Sequence, residues 1–141
     1  MAAPRQFCSF LLDKACFGLA VEQVQEVIRF QPITRVPLAP PAVRGLINLR
    51  GQIVTAIDLR RRLEMPPRDA LHQPMNIVVR TEEGMMSFLV DEIGDVVEVD
   101  DANFEKPPET LRGVGRDLIE GAYKLKDRLL LVLNTDLLMR L

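Results

Sequence analysis

The second half of this chain repeats the pattern of the first half, and this internal repeat restricts the fold more than any other feature. Residues 44–59 read RGLINLRGQIVTAIDL, and residues 120–137 read EGAYKLKDRLLLVLNTDL. At an offset of 76 residues Gly45 aligns with Gly121 and Asp58 with Asn134, while residues 17–27 align with residues 86–96 at an offset of 69. Two copies are too few for a solenoid, so the repeat predicts two small subdomains that share a core.

Short apolar runs separated by turn residues predict that each copy is built from β-hairpins. The predicted strands cover residues 7–12, 16–21, 46–49, 52–57, 76–80, 85–90 and 96–99, with a last hairpin that turns at residues 126–128. Asp58 is a good N-cap residue and predicts a short helix directly after it, and a second short helix capped by Asn134 or Thr135 is predicted near the end of the sequence. The predicted fold class is mainly β: two five-stranded barrels or curled sheets with short helices.

The polar, proline-rich segment 64–74 separates the two copies, and the 141 residues suit one compact domain. We expect a first barrel over residues 16–63 and a second over residues 76–138, each boundary being approximate. The strand over residues 7–12 is expected to pack across the two.

Composition excludes several classes of protein. The longest apolar run, residues 129–133, is far short of the ~20 residues of a membrane helix. The N-terminus lacks a signal-peptide pattern, so a cytoplasmic protein without membrane insertion is expected.

Cys8 and Cys16 are interpreted as reduced core residues, because disulfides are rare in the cytoplasm. His72 is the only histidine and C-x-x-C is absent, so neither a zinc site nor another cofactor is expected.

No residue pattern predicts catalysis. Asp58 and Asp91 are interpreted as cap and turn residues, and neither serine lies near a histidine in the sequence. The glycines of residues 112–116, RGVGR, lack the remainder of a phosphate-binding fingerprint. We therefore expect a protein that is not an enzyme.

Three consecutive arginines, Arg60, Arg61 and Arg62, form the sharpest basic run. A solvated helix face is the favoured interpretation, and a small barrel that binds nucleic acid is the alternative. Such barrels stack bases on aromatic side chains beside a basic groove. This chain has no Trp and one Tyr, and residues 71–141 contain 14 acidic residues against 8 basic ones. No nucleic-acid partner is therefore expected.

Two equivalent segments, residues 24–28 and 93–97, carry more apolar side chains than a short helical turn can easily bury. Either they flank a groove between the subdomains that receives a helix, or they form the core between the barrels. Glu26 and Arg50 are candidates for an ion pair, although their residue types alone favour two solvated charges.

These segments carry a resemblance to a known family. The residues VQEVI (24–28), ITRVP (33–37) and PAVRGLINLRGQIVTAIDL (41–59) closely resemble the signature of the CheW family of chemotaxis coupling proteins. Residues 90–99 and 118–137 are similar to that family's second half, so the resemblance covers about residues 7–138.

The resemblance implies two five-stranded, SH3-like β-barrels around a shared core, without enzymatic activity. It also implies an adaptor between the cytoplasmic hairpin of methyl-accepting chemoreceptors and the regulatory domain of a CheA-type histidine kinase, in receptor arrays at the inner membrane. A chemosensory system for pilus, gliding or another output is an alternative to a flagellar one.

The same resemblance implies which residues contact each partner. The receptor-binding residues would be Val24, Glu26, Gly45, Arg50, Ile93 and Val96, with Glu26 and Arg50 interacting. The kinase-binding residues would be Phe104, Glu105, Lys106 and Pro107.

Overall fold

A computed structural model describes residues 5–69, 71–82, 84–106 and 117–140. The strands in these residues are β1 (Arg5–Leu12), β2 (Ala15–Ala20), β3 (Val24–Ile28), β4 (Val43–Leu49), β5 (Gln52–Asp58), β6 (Met75–Thr81), β7 (Gly84–Val90), β8 (Glu92–Val99), β9 (Phe104–Glu105), β10 (Ile119–Lys124) and β11 (Leu129–Leu133). The short helices are α1 (Leu59–Arg62) and α2 (Thr135–Met139), and single 3-10 turns cover Val21–Gln23 and Asp101–Asn103. In the described ranges, neither helix is long and apolar enough to cross a membrane.

The strands form two sheets, which confirms the predicted mainly β fold class. The six-stranded sheet has the order β8-β1-β2-β11-β10-β9, and the five-stranded sheet has the order β3-β6-β7-β5-β4. The first five strands of the six-stranded sheet, β8-β1-β2-β11-β10, correspond in order to the five strands of the second sheet. The two-residue strand β9 is the additional strand. Each sheet contains one parallel pair, β2 with β11 and β5 with β7.

The equivalent strands of the two sheets come from opposite halves of the chain. The hairpin β1–β2 pairs with strands of the second half, and the hairpin β6–β7 pairs with strands of the first half. The sheets therefore do not follow the predicted barrel boundaries at 16–63 and 76–138. Residues 15–20 belong with the second set of strands, and residues 75–90 belong with the first. Because the two hairpins are similar in sequence, each can pair with the edge that the other copy offers.

The repeat also reproduces irregularities in strand pairing. In β4 the register against β5 shifts between Val43 and Gly45, and in β10 it shifts at the equivalent pair, Ile119 and Gly121. The edge strands β3 and β8 also each pair across a shift, with β6 and β1 respectively. A bulge bends a strand and increases its twist, so equivalent bulges curl the two sheets in the same way.

Hairpin turns and helix caps agree with the sequence predictions. Asp13 (φ 57°) lies in the β1–β2 turn, and Arg50 (φ 50°) and Gly51 (φ 88°) form the β4–β5 turn. Two successive positive φ angles match the right-handed twist of a hairpin. The side chain of Asp58 accepts a hydrogen bond from Arg60 N and caps α1, while Asn134 accepts from Leu137 N and caps α2.

Three apolar clusters fill the molecule. The main cluster combines residues of both sheets and both helices: Phe10, Phe17, Leu19, Ile57, Leu59, Ile77, Val79, Phe88, Leu131, Leu133 and Leu138 are among its members. A second cluster is built around Phe7, Tyr123 and Leu130 in the six-stranded sheet, and a third around Ile47, Val54 and Leu89 in the five-stranded sheet. Central strands are therefore buried on both faces, and β1 contributes Phe10 and Leu12 to the core that the two sheets share.

A fully exposed leucine occupies a strained position in the loop between β3 and β4. Ala39 N lies 3.4 Å from Val36 O across a turn in which Pro37 precedes Leu38, whose φ is 64°. Glycine or asparagine normally occupies this third turn position. We expect Leu38→Asn to raise the free energy of unfolding by up to about 1 kcal/mol, because asparagine tolerates the left-handed region better.

Urea denaturation would measure this change. Val36→Asn is the matched control in the same turn, since Val36 is not among the residues with positive φ, and it should give no gain. A lower stability of Leu38→Asn would contradict the strain argument.

Candidate functional site

The candidate site lies along the free edges of the two sheets, at β3 and β8. Among the described strands, β3 pairs with β6 alone and β8 pairs with β1 alone. The 3-10 turn that precedes β3 contacts both β1 and β6, so it joins the two sheets next to this site. Residues 24–28 and 93–97 lie in extended strands and not in helical turns, although a 3-10 turn over Val21–Gln23 leads into β3 and residues 96–99 were predicted as a strand.

The apolar residues of these two edges fall into an inner and an outer pair. Val24 and Ile93 are half-buried and pack against the main cluster. They occupy equivalent pairing positions, opposite Val79 and Phe10. Val27 and Val96 are the next equivalent pair, opposite Ile77 and Cys8, and both are exposed, Val96 by 56%. The sequence interpretation did not single out Val27, although the repeat aligns it with Val96.

Gly45 lies behind this edge rather than on it. It is buried, with φ 149°, where the segment from Ile33 to Thr34 passes close to β4. Thr34 and Leu46 exchange two backbone hydrogen bonds of 2.8 Å. A Cβ atom at position 45 would collide with the backbone of Thr34. Gly45 is therefore required for the close approach of these segments and offers no side chain to a partner.

Glu26 and Arg50 form an ion pair. Arg50 Nη2 donates to Glu26 Oε1 at 2.7 Å and to Oε2 at 2.8 Å. Glu26 is on β3 and Arg50 is in the β4–β5 turn, so the pair links the two outermost ends of the five-stranded sheet order. The Arg50 side chain is 67% exposed and that of Glu26 is 24% exposed. The pair therefore presents charge at the surface and links the two ends of the curled sheet.

We expect Arg50→Ala to change binding more than stability. An exposed ion pair contributes at most about 1 kcal/mol, so the free energy of unfolding should fall by no more than that. Loss of the guanidinium frees Glu26 and removes one link to the turn, so affinity for a receptor fragment should fall if the receptor contact is the one that the family resemblance implies. Calorimetric titration and thermal melts measure the two effects. Arg50→Ala that loses several kcal/mol of stability, or that binds receptor like the wild type, would contradict this expectation.

The second predicted contact region begins at β9. Phe104, Glu105 and Lys106 are all exposed, and Pro107 lies outside the described residues. The Phe104 ring packs edge-on against Tyr123, with ring centroids 5.5 Å apart, and covers Gly121 where a Cβ atom would stand. One face of this ring is therefore held by the sheet, while the side chain remains 48% exposed. Such a fixed aromatic side chain can contact a partner with little loss of conformational entropy.

A buried ionic cluster joins Asp58, Arg60, Arg68 and Asp91, and the sequence interpretation missed it. Arg60 Nε donates to both carboxylate oxygens of Asp91, at 3.0 and 3.1 Å, and Arg60 Nη2 forms a further short contact with Oδ2. Arg68 Nε donates to Asp91 Oδ1 at 3.1 Å, and Arg68 Nη1 lies 3.2 Å from Asp58 Oδ1. Each of the four side chains is 15% exposed or less.

Asp91 is held in its ionised form by these contacts. Burial raises the pKa of Asp91, but hydrogen bonds from Arg60, from the backbone N–H of Asp13 and from Arg68 together lower that pKa to about 2. Asp91 is therefore a carboxylate held by charged donors and not the simple turn residue expected from the sequence. No spacing rule connects positions 58, 60, 68 and 91, so the sequence offered no signal for this cluster.

The arginine run at Arg60–Arg62 is neither a solvated helix face nor an open basic site. Arg60 is committed to Asp91, and its Nη1 also donates to Pro66 O at 3.0 Å. Arg62 Nη2 donates to the carbonyls of Leu137 and Arg140, at 3.0 and 2.9 Å, beside the end of α2. Of the three, Arg61 alone is classed as exposed. The favoured sequence interpretation is therefore wrong for two of the three residues.

The other candidate groups do not assemble a reactive site. Cys8 and Cys16 are free thiols, and burial raises the pKa of both. Over residues 5–69, 71–82, 84–106 and 117–140, no group of three His, Cys, Asp or Glu side chains is arranged to hold a metal ion. The glycine-containing segment 112–116 lies outside the described residues.

Comparison with known proteins gives a consistent result. The sequence pattern of the CheW-like domain family matches residues 6–141. The chain is 32% identical over 130 residues to the chemotaxis protein CheW of Bacillus subtilis, covering 90% of this chain and 81% of that protein. It is 26% identical over 135 residues to the chemotaxis protein CheW of Treponema pallidum, covering 92% and 78%. A crystal structure of the scaffolding protein TtCheW from Thermoanaerobacter tengcongensis superimposes with a TM-score of 0.86 at 27% identity, covering 99% of this chain and 94% of that one.

Proposed function

This chain belongs to the CheW-like domain family, and on that premise we propose that it is a non-enzymatic adaptor that couples methyl-accepting chemoreceptors to a CheA-type histidine kinase. A chemotaxis scaffold of this family acts by presenting surfaces to other proteins. The observation that carries the proposal is the family match over residues 6–141 together with two separate exposed surfaces. One surface is the edge pair β3 and β8, and the other surrounds Phe104.

The receptor contact is proposed for the first surface. Val27 and Val96 expose apolar side chains at equivalent pairing positions of the edge strands β3 and β8, and Glu26 of the Glu26–Arg50 pair precedes Val27 on β3. An amphipathic helix buries an apolar stripe in such a groove and places polar residues at its rim. Val24 and Ile93 support the groove from below through their contacts with the main cluster. Gly45 contributes by allowing the segment from Ile33 to Thr34 to pack against β4.

The kinase contact is proposed for the second surface. Phe104, Glu105 and Lys106 are exposed on and beside β9, and Pro107 is included from the family resemblance. An aromatic ring that the sheet holds on one side is a suitable anchor, because interface energy concentrates in such residues. Two separate surfaces would let receptor and kinase bind at the same time, which an adaptor requires.

Reconstitution of the three-component complex tests the proposal. Purified kinase and a receptor cytoplasmic fragment, mixed with this protein, should show faster kinase autophosphorylation than kinase and receptor without it. Phe104→Ala should reduce kinase binding and retain receptor binding. No stimulation with the partners encoded beside its gene, or ATP turnover by this protein alone, would sink the proposal.

The proposed location is the cytoplasm, with recruitment to receptor arrays at the inner membrane. Flagellar and pilus or gliding systems both use adaptors of this type, and the two are alternatives for this chain. The genes that neighbour its own gene would distinguish them, because each output system has its own motor components.

A further inference from the structure

The ionic cluster of Asp58, Arg60, Arg68 and Asp91 stands where the chain crosses between the two sheets. Asp91 is the single residue between β7 of the five-stranded sheet and β8 of the six-stranded sheet. Its backbone N–H donates to Leu11 O at 3.1 Å, and its carboxylate accepts from Asp13 N at 2.7 Å. One residue of the crossing is thus bonded to the end of β1 and to the first residue of the β1–β2 turn.

The β5–β6 connection, which joins two strands of the five-stranded sheet, meets the same cluster. Arg60 on α1 and Arg68 in the connection to β6 both belong to the segment that links β5 with β6. His72, further along this connection, places Nε2 2.9 Å from the backbone oxygen of Asp91. The β1–β2 turn, the β5–β6 connection and the β7–β8 junction are therefore tied together at one carboxylate.

Stability alone does not explain such a cluster. Removing two carboxylates and two guanidinium groups from water is costly, and buried ion networks are often no more stabilising than apolar residues of similar volume. The main cluster already buries apolar residues of both sheets. Apolar attraction, however, has no preferred direction. It holds the sheets together without fixing the angle between them.

Charge-assisted hydrogen bonds do have a preferred direction. Arg60 presents Nε and Nη2 to Asp91 together, and Arg68 presents its own nitrogens to both Asp91 and Asp58. A guanidinium group that meets a carboxylate through a planar fork fixes both separation and orientation. A small rotation of one sheet against the other would break several of these bonds at once.

We propose that this cluster is a clamp that fixes the orientation of the five-stranded sheet relative to the six-stranded sheet. It is a conformational device and does not depend on which partners the protein binds. On the proposed function it would also set the spacing of β3 and β8, since β8 starts at the residue after Asp91; that consequence rests on the proposed receptor contact.

A neutral version of the clamp tests the proposal. The variant combines Asp58→Asn, Arg60→Met, Arg68→Met and Asp91→Asn. Asparagine at position 58 retains a helix cap, and asparagine at position 91 retains an acceptor for Asp13 N. Methionine fills most of the space of each arginine without its charge. The variant should therefore melt cooperatively at a temperature near that of the wild type.

Spin-label distances report the orientation directly. In a background of Cys8→Ser and Cys16→Ala, labels on Gln25→Cys and Glu98→Cys span the two sheets, from β3 to β8. Labels on Gln25→Cys and Arg44→Cys stay within the five-stranded sheet and serve as the control. All three labelled positions are exposed. Loss of the clamp should widen the distance distribution between the sheets about twofold and leave the one within the sheet unchanged, because only directional contacts are removed.

An unchanged distribution between the sheets in the folded neutral variant would overturn the proposal, and so would equal widening within the sheet. If the fourfold variant does not fold, Asp58→Asn with Arg68→Met removes only the part of the clamp on the β5–β6 connection. This double variant should show a smaller widening between the sheets, and a wild-type distribution would overturn the proposal in the same way.

Discussion

Replacing Val96 with aspartate is expected to weaken receptor binding by about tenfold or more and to leave the melting temperature unchanged. Val96 is 56% exposed on the free edge of β8, so the folded protein can accept a charge there. Burying a valine side chain contributes about 1.5 kcal/mol or more, and each 1.4 kcal/mol is a factor of ten in affinity. Calorimetric titration of a receptor cytoplasmic fragment measures the loss.

Ile53→Asp is the matched control for this prediction. Ile53 is a β-branched residue on β5 with 60% exposure, and it is not one of the residues assigned to either proposed contact. It should bind receptor and kinase as the wild type does. Val96→Asp should also retain wild-type affinity for the kinase. Loss of kinase binding with intact receptor binding would mean that the two surfaces are assigned the wrong way round.

Val24→Asp, by contrast, does not isolate the binding effect. Val24 packs against the main cluster, so a carboxylate there would be partly buried without a partner. We expect it to lower stability and receptor binding together. Val27→Asp is the better counterpart of Val96→Asp, because Val27 is the exposed residue at the equivalent pairing position. The sequence interpretation named Val24 and Val96 together, although the repeat at an offset of 69 and the strand pairing both align Val96 with Val27.

Local features were predictable because each depends on a few adjacent residues. Arg50-Gly51 predicted a hairpin turn, and Asp58 and Asn134 predicted the starts of both helices. The repeat aligned Gly45 with Gly121, and the structure has an equivalent register shift at each of these two residues. In each case the physical cause is local: a turn needs a positive φ, or the first N–H groups of a helix need an acceptor. Either need depends on the type of one or two residues.

The pairing of strands between the two halves was not predictable in the same way. The repeat shows that the hairpins β1–β2 and β6–β7 are similar in sequence. This similarity does not determine which of two similar sheet edges each hairpin pairs with. Asp91 connects β7 directly to β8 with no loop, and this short junction favours the exchange, because β8 then continues into the other sheet. This constraint cannot be recognised until the end of β7 and the start of β8 are known.

The buried ionic cluster was hidden for a related reason. Its members are separated by the β5–β6 connection and the β6–β7 hairpin, so no periodicity links them. Arg60 belongs to a basic run and Asp91 to a polar turn, and each type is usually solvated. Exchange of the hairpins brings the two connections to one place, where Asp91 lies beside Arg60 and Arg68. The topology therefore had to be known before the cluster could be found.

Replacing Asp91 alone with asparagine should lower the free energy of unfolding at pH 7 by about 3 kcal/mol or more, because it removes the carboxylate that pairs with Arg60 and leaves Arg68 paired with Asp58. The effect should depend on pH. The folded pKa of Asp91, about 2, is below its ordinary value of 3.8, so ionisation of Asp91 stabilises the fold above pH 4. About 2 kcal/mol of that contribution should disappear between pH 4 and pH 2, as the carboxylate is protonated.

Urea denaturation of wild type and Asp91→Asn at several pH values measures the difference in the free energy of unfolding. It should shrink as the pH falls, whereas the difference between wild type and Arg50→Ala should stay below about 1 kcal/mol at neutral pH. A difference between wild type and Asp91→Asn that is constant from pH 7 to pH 2 would show that the charge on Asp91 is not what stabilises this part of the fold.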